Sequence, residues 1–283
     1  RGFSTSGPAP LPKGDRMRTF SFGAGVQSTA VLVLQAQGKL PEPYDVFLFA
    51  NVGDDSEDPR SLEYFHEHHV PFAKKHGIEL IEVQKHSRAG EKQTLMSQLM
   101  KPESRSLPIP VRMSNGAPGR RSCTADFKIH VIRKWQRQHG SSRDNIAVCG
   151  LGISVDEIQR ARTDSGFDDQ VLEYPLLDLG LWRKDCYAII EAAELPKPPK
   201  SACFFCPFHD LNAWREMKRN LPEEFEKSCQ LEETLNIRRE KLGKDHVWLT
   251  RWAAPLRQVI DDQLVLDLND DGPEGCDSGS CFT

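Results

Sequence analysis

Short apolar runs and amphipathic segments alternate along the chain as far as residue 195. The apolar runs fall at 18–22, 44–50, 78–83, 146–150 and 171–174, and each predicts a β-strand. The second of them reads Tyr-Asp-Val-Phe-Leu-Phe-Ala, with almost no polar alternation. Strands that are apolar on both faces are typical of a parallel sheet covered by helices on each side.

Segments with helical periodicity follow most of these strands. They fall at 30–34, 60–76, 91–100, 124–139 and 183–193. Because strands and helices alternate with mostly short links, we predict an α/β fold with a doubly wound, mostly parallel sheet. Ligands of such sheets bind at the carboxyl ends of the strands.

The pattern changes after a Pro-rich stretch at 196–199, where helices at 210–219 and 223–241 and then an acidic, Gly-rich end follow. A small helical C-terminal subdomain is therefore expected beside the α/β domain. Cys203 and Cys206 within it are the candidates for a metal or cluster site. The predicted units are a flexible extension or cloning remnant at 1–16, the α/β domain at 17–195, the helical subdomain at 196–268 and a flexible cysteine-containing tail at 269–283.

Composition excludes several classes of protein. The 283 residues carry a net charge of −4, which does not favour nucleic-acid binding through bulk charge. No apolar run approaches the roughly 18 residues of a membrane span, so no membrane partner is expected. The first 15 residues lack the apolar core of a signal peptide. We therefore expect a cytoplasmic protein whose eight cysteines serve metal or redox chemistry rather than disulfides.

A glycine-rich stretch joins the first strand to the first helix, and it reads Ser21-Phe22-Gly23-Ala24-Gly25-Val26-Gln27-Ser28-Thr29. Free N–H groups at a helix start attract anions, and small residues let a phosphate approach the backbone. The stretch has neither the Gly-Lys-Ser/Thr of a Walker A loop nor the Gly-x-Gly-x-x-Gly of dinucleotide folds. It predicts a phosphate-binding loop, and an ordinary tight turn is the alternative.

This stretch resembles the pyrophosphate loop of the adenine-nucleotide α-hydrolase (HUP) superfamily, in its phosphoadenosine-phosphosulfate-reductase-like branch. The resemblance extends over nearly all of 17–283 and implies a HUP-type sheet that binds ATP or another adenine nucleotide. The loop residues that it implies as nucleotide ligands are Ser21, Phe22, Gly23, Gly25, Gln27, Ser28 and Thr29. ATP-cleaving members carry Asp at the position of Gln27. An amide is a poor magnesium ligand, so magnesium-dependent ATP cleavage stays open.

Asn51 and Gly53, directly after the second strand, belong to a segment that resembles a nucleotide-contacting Asp-Thr-Gly segment of the same superfamily. Asn51 replaces the aspartate of that segment. The resemblance implies that both residues contact the nucleotide. The alternative is an acidic turn that caps the next helix.

A third segment, beginning at Gly150, resembles the Gly-x-Arg-x-x-Glu-Ser segment of the reductases. It implies nucleotide contacts from Gly150, Gly152 and Asp156. Glycines at the end of a strand bring the backbone close to a ligand, and a carboxylate there would take a ribose hydroxyl or a metal. A capping box formed by Ser154 and Glu157 is compatible with this role.

Cys203-Phe-Phe-Cys206 is a hook of two thiols for a soft metal, and it leaves zinc, an iron–sulfur cluster, a redox dithiol and packed thiols as interpretations. The segment around Cys123 resembles the part of sulfonucleotide reductases where two cysteines join such a pair around a four-iron four-sulfur cluster. Ser122 replaces the first of those cysteines. The resemblance therefore implies a cluster on Cys123, Cys203 and Cys206 with one open iron, and zinc is the alternative.

Basic residues surround Cys123. Arg120, Arg121 and Lys128 are the candidates for binding a phosphate or sulfate oxyanion, because guanidinium groups hold such anions bidentately. Lys128 also belongs to the candidate catalytic set. The basic set around Cys123 also includes Arg112, Arg133, Lys134 and Arg137. Part of the set is expected to be the solvated face of the helix at 124–139.

The tail contributes Cys276 and Cys281 to the candidate catalytic set. In sulfonucleotide reductases a cysteine of a mobile C-terminal tail attacks the sulfate sulfur, although the Glu-Cys-Gly-x-His motif of those tails is missing here. A thiolate in this tail would attack sulfur, resolve a persulfide or complete the cluster; an inert tail is the alternative.

Three functions follow as hypotheses. The first is a nucleotide-dependent, cluster-containing sulfurtransferase with a nucleic acid or nucleotide acceptor, supplied by a cysteine desulfurase or a thiol donor. The second is a reductase of adenosine phosphosulfates. The third is a non-catalytic nucleotide-binding protein with a structural zinc or a sensing cluster.

Overall fold

The computed structural model describes residues 16–261. A five-stranded, all-parallel sheet lies at its centre, in the order β3-β2-β1-β4-β5. The strands are β1 (Arg18–Phe22), β2 (Val46–Asn51), β3 (Leu80–Gln84), β4 (Ala147–Leu151) and β5 (Gln170–Glu173). The predicted α/β fold with a parallel sheet is confirmed, and each predicted strand lies within two residues of its expected place.

The helices occupy the links between strands and the whole of the chain after β5. They are α1 (Val26–Ala36), α2 (Pro59–Tyr64), α3 (Val70–Lys75), α4 (Leu95–Leu99), α5 (Ser122–Thr124), α6 (His130–Gln138), α7 (Pro175–Asp178), α8 (Arg183–Ala192), α9 (Leu211–Asn220), α10 (Pro222–Lys241) and α11 (Leu256–Asp261). Within residues 16–261, no helix has both the length and the apolar character needed to cross a membrane.

Both faces of the sheet are buried, as the apolar strands predict. In β2, Phe47 and Phe49 belong to the core cluster beneath α1 and α8, whereas Leu48 belongs to the cluster that includes Ile132 of α6. Successive side chains of a strand point to opposite faces, so a strand buried on both sides has no polar alternation. Helices therefore cover the two faces of one sheet.

The long predicted helices contain irregular turns that periodicity alone does not reveal. A π-helical turn at Phe65–His69 joins α2 to α3, and another at Ala125–Ile129 joins α5 to α6. The helix predicted at 91–100 is reduced to α4. It begins after Thr94, whose hydroxyl accepts the N–H of Ser97 at 3.0 Å. The short helices α5, α7 and α11 and a 3₁₀ segment at Val155–Arg160 were not predicted as separate elements.

The C-terminal helices share a core with earlier parts of the chain. One apolar cluster joins Trp214 of α9 and Leu235 of α10 to Leu95, Val111 and Phe127. Trp214, Phe127 and Leu95 are fully buried there. The segment after 196 therefore packs against the long link between β3 and β4.

Helix α10 holds the segment that follows it through two buried polar side chains. Asn236 pairs with both backbone groups of Val247, at 2.9 and 2.8 Å. Glu232, one turn earlier, accepts the N–H groups of Leu249 and Leu256 at 2.6 and 2.7 Å. Trp248, between these anchors, exchanges two backbone hydrogen bonds with Arg112. The anchored segment thus supports the loop before Cys123, which carries Arg112, Arg120 and Arg121 and is called the basic loop below.

The free energy of unfolding should fall between about pH 5 and about pH 8 because of Glu232. Burial raises the pKa of this carboxyl from 4.5 to about 7. Between these two values the folded state binds the extra proton, so its contribution is fully present at low pH and is lost as pH rises. The whole effect is at most roughly 3 kcal/mol.

Urea denaturation at a series of pH values measures this effect. Glu232→Gln should flatten the decline, whereas Glu223→Gln, at an exposed position on the same helix, should keep it. Parallel pH curves for the wild type and Glu232→Gln would contradict the assignment.

Candidate functional site

The glycine-rich stretch forms the turn between β1 and α1, at the carboxyl edge of the sheet. Gly25 occupies the N-cap position, and no side chain of residues 16–261 caps the helix there. Gly23 is exposed, and Ala24 has a φ of +58°. The first N–H groups of α1 therefore point towards the carboxyl edge without a protein cap, which is the arrangement that binds anions.

Gln27 does not point its amide at the solvent. Its Nε2 donates to Glu157 Oε2 at 3.1 Å and lies 3.5 Å from Ser154 Oγ. Glu157 is buried and pairs with Arg160 at 2.7 Å. A paired carboxylate from the loop after β4 therefore lies beside the start of α1. Ser154 makes no side-chain cap of the 3₁₀ segment, so the capping-box interpretation is wrong.

Gly150 in β4 and Gly152 directly after it meet different neighbours. A Cβ at Gly150 would lie 2.4 Å from the Tyr44 hydroxyl, so this glycine accommodates a core side chain. A Cβ at Gly152 would lie 3.2 Å from the backbone nitrogen of Ser28. Gly152 therefore lets the loop after β4 approach the start of α1. Asp156 is exposed and accepts the N–H of Arg183 at 2.8 Å.

The loop after β2 is fixed by hydrogen bonds of its own. Asn51 is buried; its amide donates to Asp54 and Glu82, and its oxygen accepts the N–H of Gly53 at 2.7 Å. Gly53 has a φ of +126°, which favours glycine. Asp58 at the end of this loop caps α2 by accepting the N–H of Arg60. The acidic turn thus caps a helix, as the alternative interpretation predicts.

Lys128 faces the same loop from the π-helical turn before α6. Burial raises the pKa of the Glu57 carboxyl, and the Lys128 ammonium acts in the opposite direction. Lys128 is half-buried, and Glu57 forms an isolated bridge with Cys203. Lys128, a candidate for binding an oxyanion, therefore acts on Glu57, and Glu57 in turn pairs with the cysteine-containing segment at Cys203.

The cysteine loop, 201–209, is attached to both loops at the carboxyl edge. The hydroxyl of Ser201 donates to the carbonyl of Gly23. Asp58 donates its N–H to Ala202, and Phe204 donates to Ser56, at 3.1 and 3.2 Å. No sequence pattern marks Ser201, because a serine near a cysteine pair has no pattern of its own.

The cysteines divide into two groups. Cys149, Cys186 and Cys229 are buried in the core, where desolvation raises the pKa of each thiol, as expected for small apolar residues. Cys123 and Cys203 pack against the cluster shared with α9 and α10, and Cys206 is buried one turn later.

Within residues 16–261, no three His, Cys, Asp or Glu side chains are placed to hold a metal ion. The expected site on Cys123, Cys203 and Cys206 is thus not assembled by the described residues. Cys276 and Cys281 lie outside the described residues.

Basic side chains around Cys123 have different surroundings. Arg120 is exposed, whereas the guanidinium groups of Arg112 and Arg121 lie 5.5 and 5.2 Å from the centre of the Phe208 ring. Such contacts are cation–π interactions. These contacts attach the basic loop to the cysteine loop. Phe208 was not among the predicted site residues. Arg133 pairs at 2.7 Å with buried Asp169, so its side chain does not belong to the solvated helix face expected for part of the basic set.

Comparison with known proteins identifies no relative: no family model, no curated protein and no solved structure matches this chain.

Gly152→Ala should weaken the binding of pyrophosphate about tenfold, because the added methyl group crowds the Ser28 N–H. Isothermal titration with pyrophosphate and with ATP measures this change. Gly38→Ala, in open space beyond the other end of α1, has a φ of +63° and should cost about 1 kcal/mol of stability without altering affinity. Equal affinities of Gly152→Ala and the wild type would contradict a site at this end of α1.

Proposed function

We propose that the protein is an adenine-nucleotide-dependent sulfurtransferase whose acceptor is a nucleic acid or a nucleotide. The observation that supports this most directly is the hydrogen bond from Ser201 to the carbonyl of Gly23. It holds the cysteine loop against the loop whose free N–H groups suit phosphates. Nucleotide chemistry and thiol chemistry would then share one edge of the sheet.

The position in the fold supports the nucleotide part of the proposal. β1 lies between β2 and β4, so the chain leaves β1 on one side of the sheet and later returns to its other side. A crevice forms at such a point, and ligands of open parallel sheets bind there. The amides at the start of α1 would bind the phosphates, with Gly152 leaving room for them.

Each group of residues has a separate task in the proposed reaction. The nucleotide activates the acceptor with release of pyrophosphate, and a sulfur nucleophile then displaces AMP. One of Cys203 and Cys206 would receive sulfane sulfur, as a persulfide, from a cysteine desulfurase. Its outer sulfur would bond to the adenylated carbon of the acceptor as AMP leaves. The other thiol would then release the thiolated acceptor by forming a Cys203–Cys206 disulfide, which a thiol donor would reduce. Arg120, Arg121 and Lys128 would hold the anionic acceptor, since guanidinium and ammonium groups bind phosphate oxygens.

The metal part of the hypothesis stays a prediction. A four-iron four-sulfur cluster, or a zinc ion, on Cys123, Cys203 and Cys206 would have to draw these side chains together. A need for magnesium stays an open question, since Gln27 offers an amide in place of a carboxylate.

Cys203→Ala and Cys206→Ala should each lower sulfur transfer by about 100-fold or more, because a transferring thiolate has no substitute. The assay incubates the protein with labelled ATP, a persulfide source and candidate acceptors, and measures AMP, pyrophosphate and thiolated product. Cys229→Ala is the matched control, since this thiol lies in the core and should affect only stability, by about 1 kcal/mol.

The same samples, purified anaerobically, are analysed for iron, zinc and acid-labile sulfide. Sulfur transfer that is equal in the Cys203, Cys206 and Cys229 variants would refute the thiol role. Nucleotide binding without any turnover would favour the non-catalytic alternative.

The reductase alternative is supported by Gln27, which replaces the aspartate of ATP-cleaving relatives in the resemblance. It requires Cys276 or Cys281 as the nucleophile towards bound phosphosulfate. The double variant Cys276→Ser with Cys281→Ser should retain full activity if the protein is a sulfurtransferase with its thiols at 203 and 206. Sulfite release from phosphosulfate that disappears in this variant would establish the reductase instead.

A further inference from the structure

His69 is a buried histidine behind the glycine-rich turn, on the π-helical turn Phe65–His69. The N–H of Val70 reaches back five residues to the carbonyl of Phe65, which is the hydrogen bond of a π-helix. Phe65 and His69 are both buried, whereas His66 is exposed. Single π-turns within helices occur frequently at functional sites.

The surroundings of His69 keep its imidazole neutral. The rings of Phe22 and Tyr64 lie 4.8 and 4.7 Å away, both edge to face. Burial among these rings, with a smaller effect of His68, lowers the pKa of His69 to about 3. A neutral imidazole carries one N–H donor and one bare acceptor.

The tautomer follows from the hydrogen-bond partners. His69 Nε2 lies 2.8 Å from Thr29 Oγ1, and the buried Nδ1 has no partner among the described residues. A buried N–H without an acceptor is rarer and costlier than an unfilled lone pair. The proton therefore belongs on Nε2, and His69 donates to the Thr29 hydroxyl.

The Thr29 hydroxyl must then direct its own proton elsewhere. Its Oγ1 lies 2.8 Å from the carbonyl of Gly25, and the Thr29 N–H lies 2.9 Å from the same oxygen. Ser28 Oγ is also 2.9 Å from it. A carbonyl oxygen has two lone pairs, and the two groups of Thr29 fill them. The Ser28 hydroxyl is the donor that can turn away to a ligand.

We propose that His69 is a positioning residue of the phosphate loop: it fixes the Thr29 hydroxyl on Gly25 and so releases the Ser28 hydroxyl to a bound oxyanion. The proposal rests on the proposed binding of nucleotide phosphates at the start of α1. His69 itself does not touch the ligand.

The first test detects the tautomer in the unliganded wild-type protein. Nitrogen-15 NMR of the imidazole, assigned by comparison with His69→Gln, should show a neutral ring protonated at Nε2. A ring protonated at Nδ1 would overturn the proposal without reference to any ligand.

The second test measures the affinity of pyrophosphate and of ATP by titration calorimetry. His69→Leu, which has no donor, should bind about tenfold more weakly. His69→Gln, whose amide can replace the Nε2–H donor, should stay within about threefold of the wild type. His66→Leu, on the exposed side of the same turn, is the control and should bind normally.

The third test separates positioning from general damage. In a Ser28→Ala background, His69→Leu should have little further effect, because the hydroxyl that His69 releases is absent. Independent, additive losses, or a His69→Gln variant no better than His69→Leu, would overturn the proposal. A wild type that binds neither ligand would overturn the proposed nucleotide site as well, whereas wild-type binding untouched by His69→Leu would refute only the role of His69.

Discussion

The crevice between the ends of β1 and β4 is the constraint on which the rest of the site depends. The two strands pair directly, with Phe20 opposite Gly150, yet their following loops must leave on different sides of the sheet. A Cβ at position 152 would come within 3.2 Å of the Ser28 nitrogen, so glycine there eases the approach of the second loop. The uncapped start of α1 is therefore enclosed by protein, and Val26, Gln27 and Ser28 are buried there.

The helical C-terminal part determines how the basic and cysteine loops meet this crevice. Glu232 and Asn236 lie four residues apart on one face of α10, and they anchor the segment that pairs with Arg112. Arg112 in turn contacts Phe208 of the cysteine loop. Leu235 of α10, Val111 beside Arg112 and Phe205 of the cysteine loop belong to one apolar cluster. A substitution in α10 would therefore alter the packing of the basic loop. The helices after 196 are part of the support of the site.

The sequence predicted the sheet well, because strands buried on both faces lose polar alternation and glycines mark the turn after β1. It could not predict contacts between distant segments. By its sequence, Gly150 resembles a ligand-binding glycine. In the structure, the side chain of Tyr44, more than 100 residues earlier, occupies the space that a Cβ at position 150 would need. His69 fits the apolar face of a regular helix, and only the π-turn and the Thr29 hydroxyl distinguish it from a core residue. Local pattern carries no information on either partner.

The charges near α1 bear on how a polyphosphate would be held. A carboxylate at position 27 would repel phosphates unless a cation lay between them, whereas the Gln27 amide carries no charge. The Glu157 carboxylate, which accepts from Gln27, is paired with Arg160 at 2.7 Å. The start of α1 therefore keeps the favourable potential of its N–H groups. Since the helix end and the paired Glu157 add no repulsion, phosphate binding here would depend less on a divalent cation than in a loop that carries aspartate.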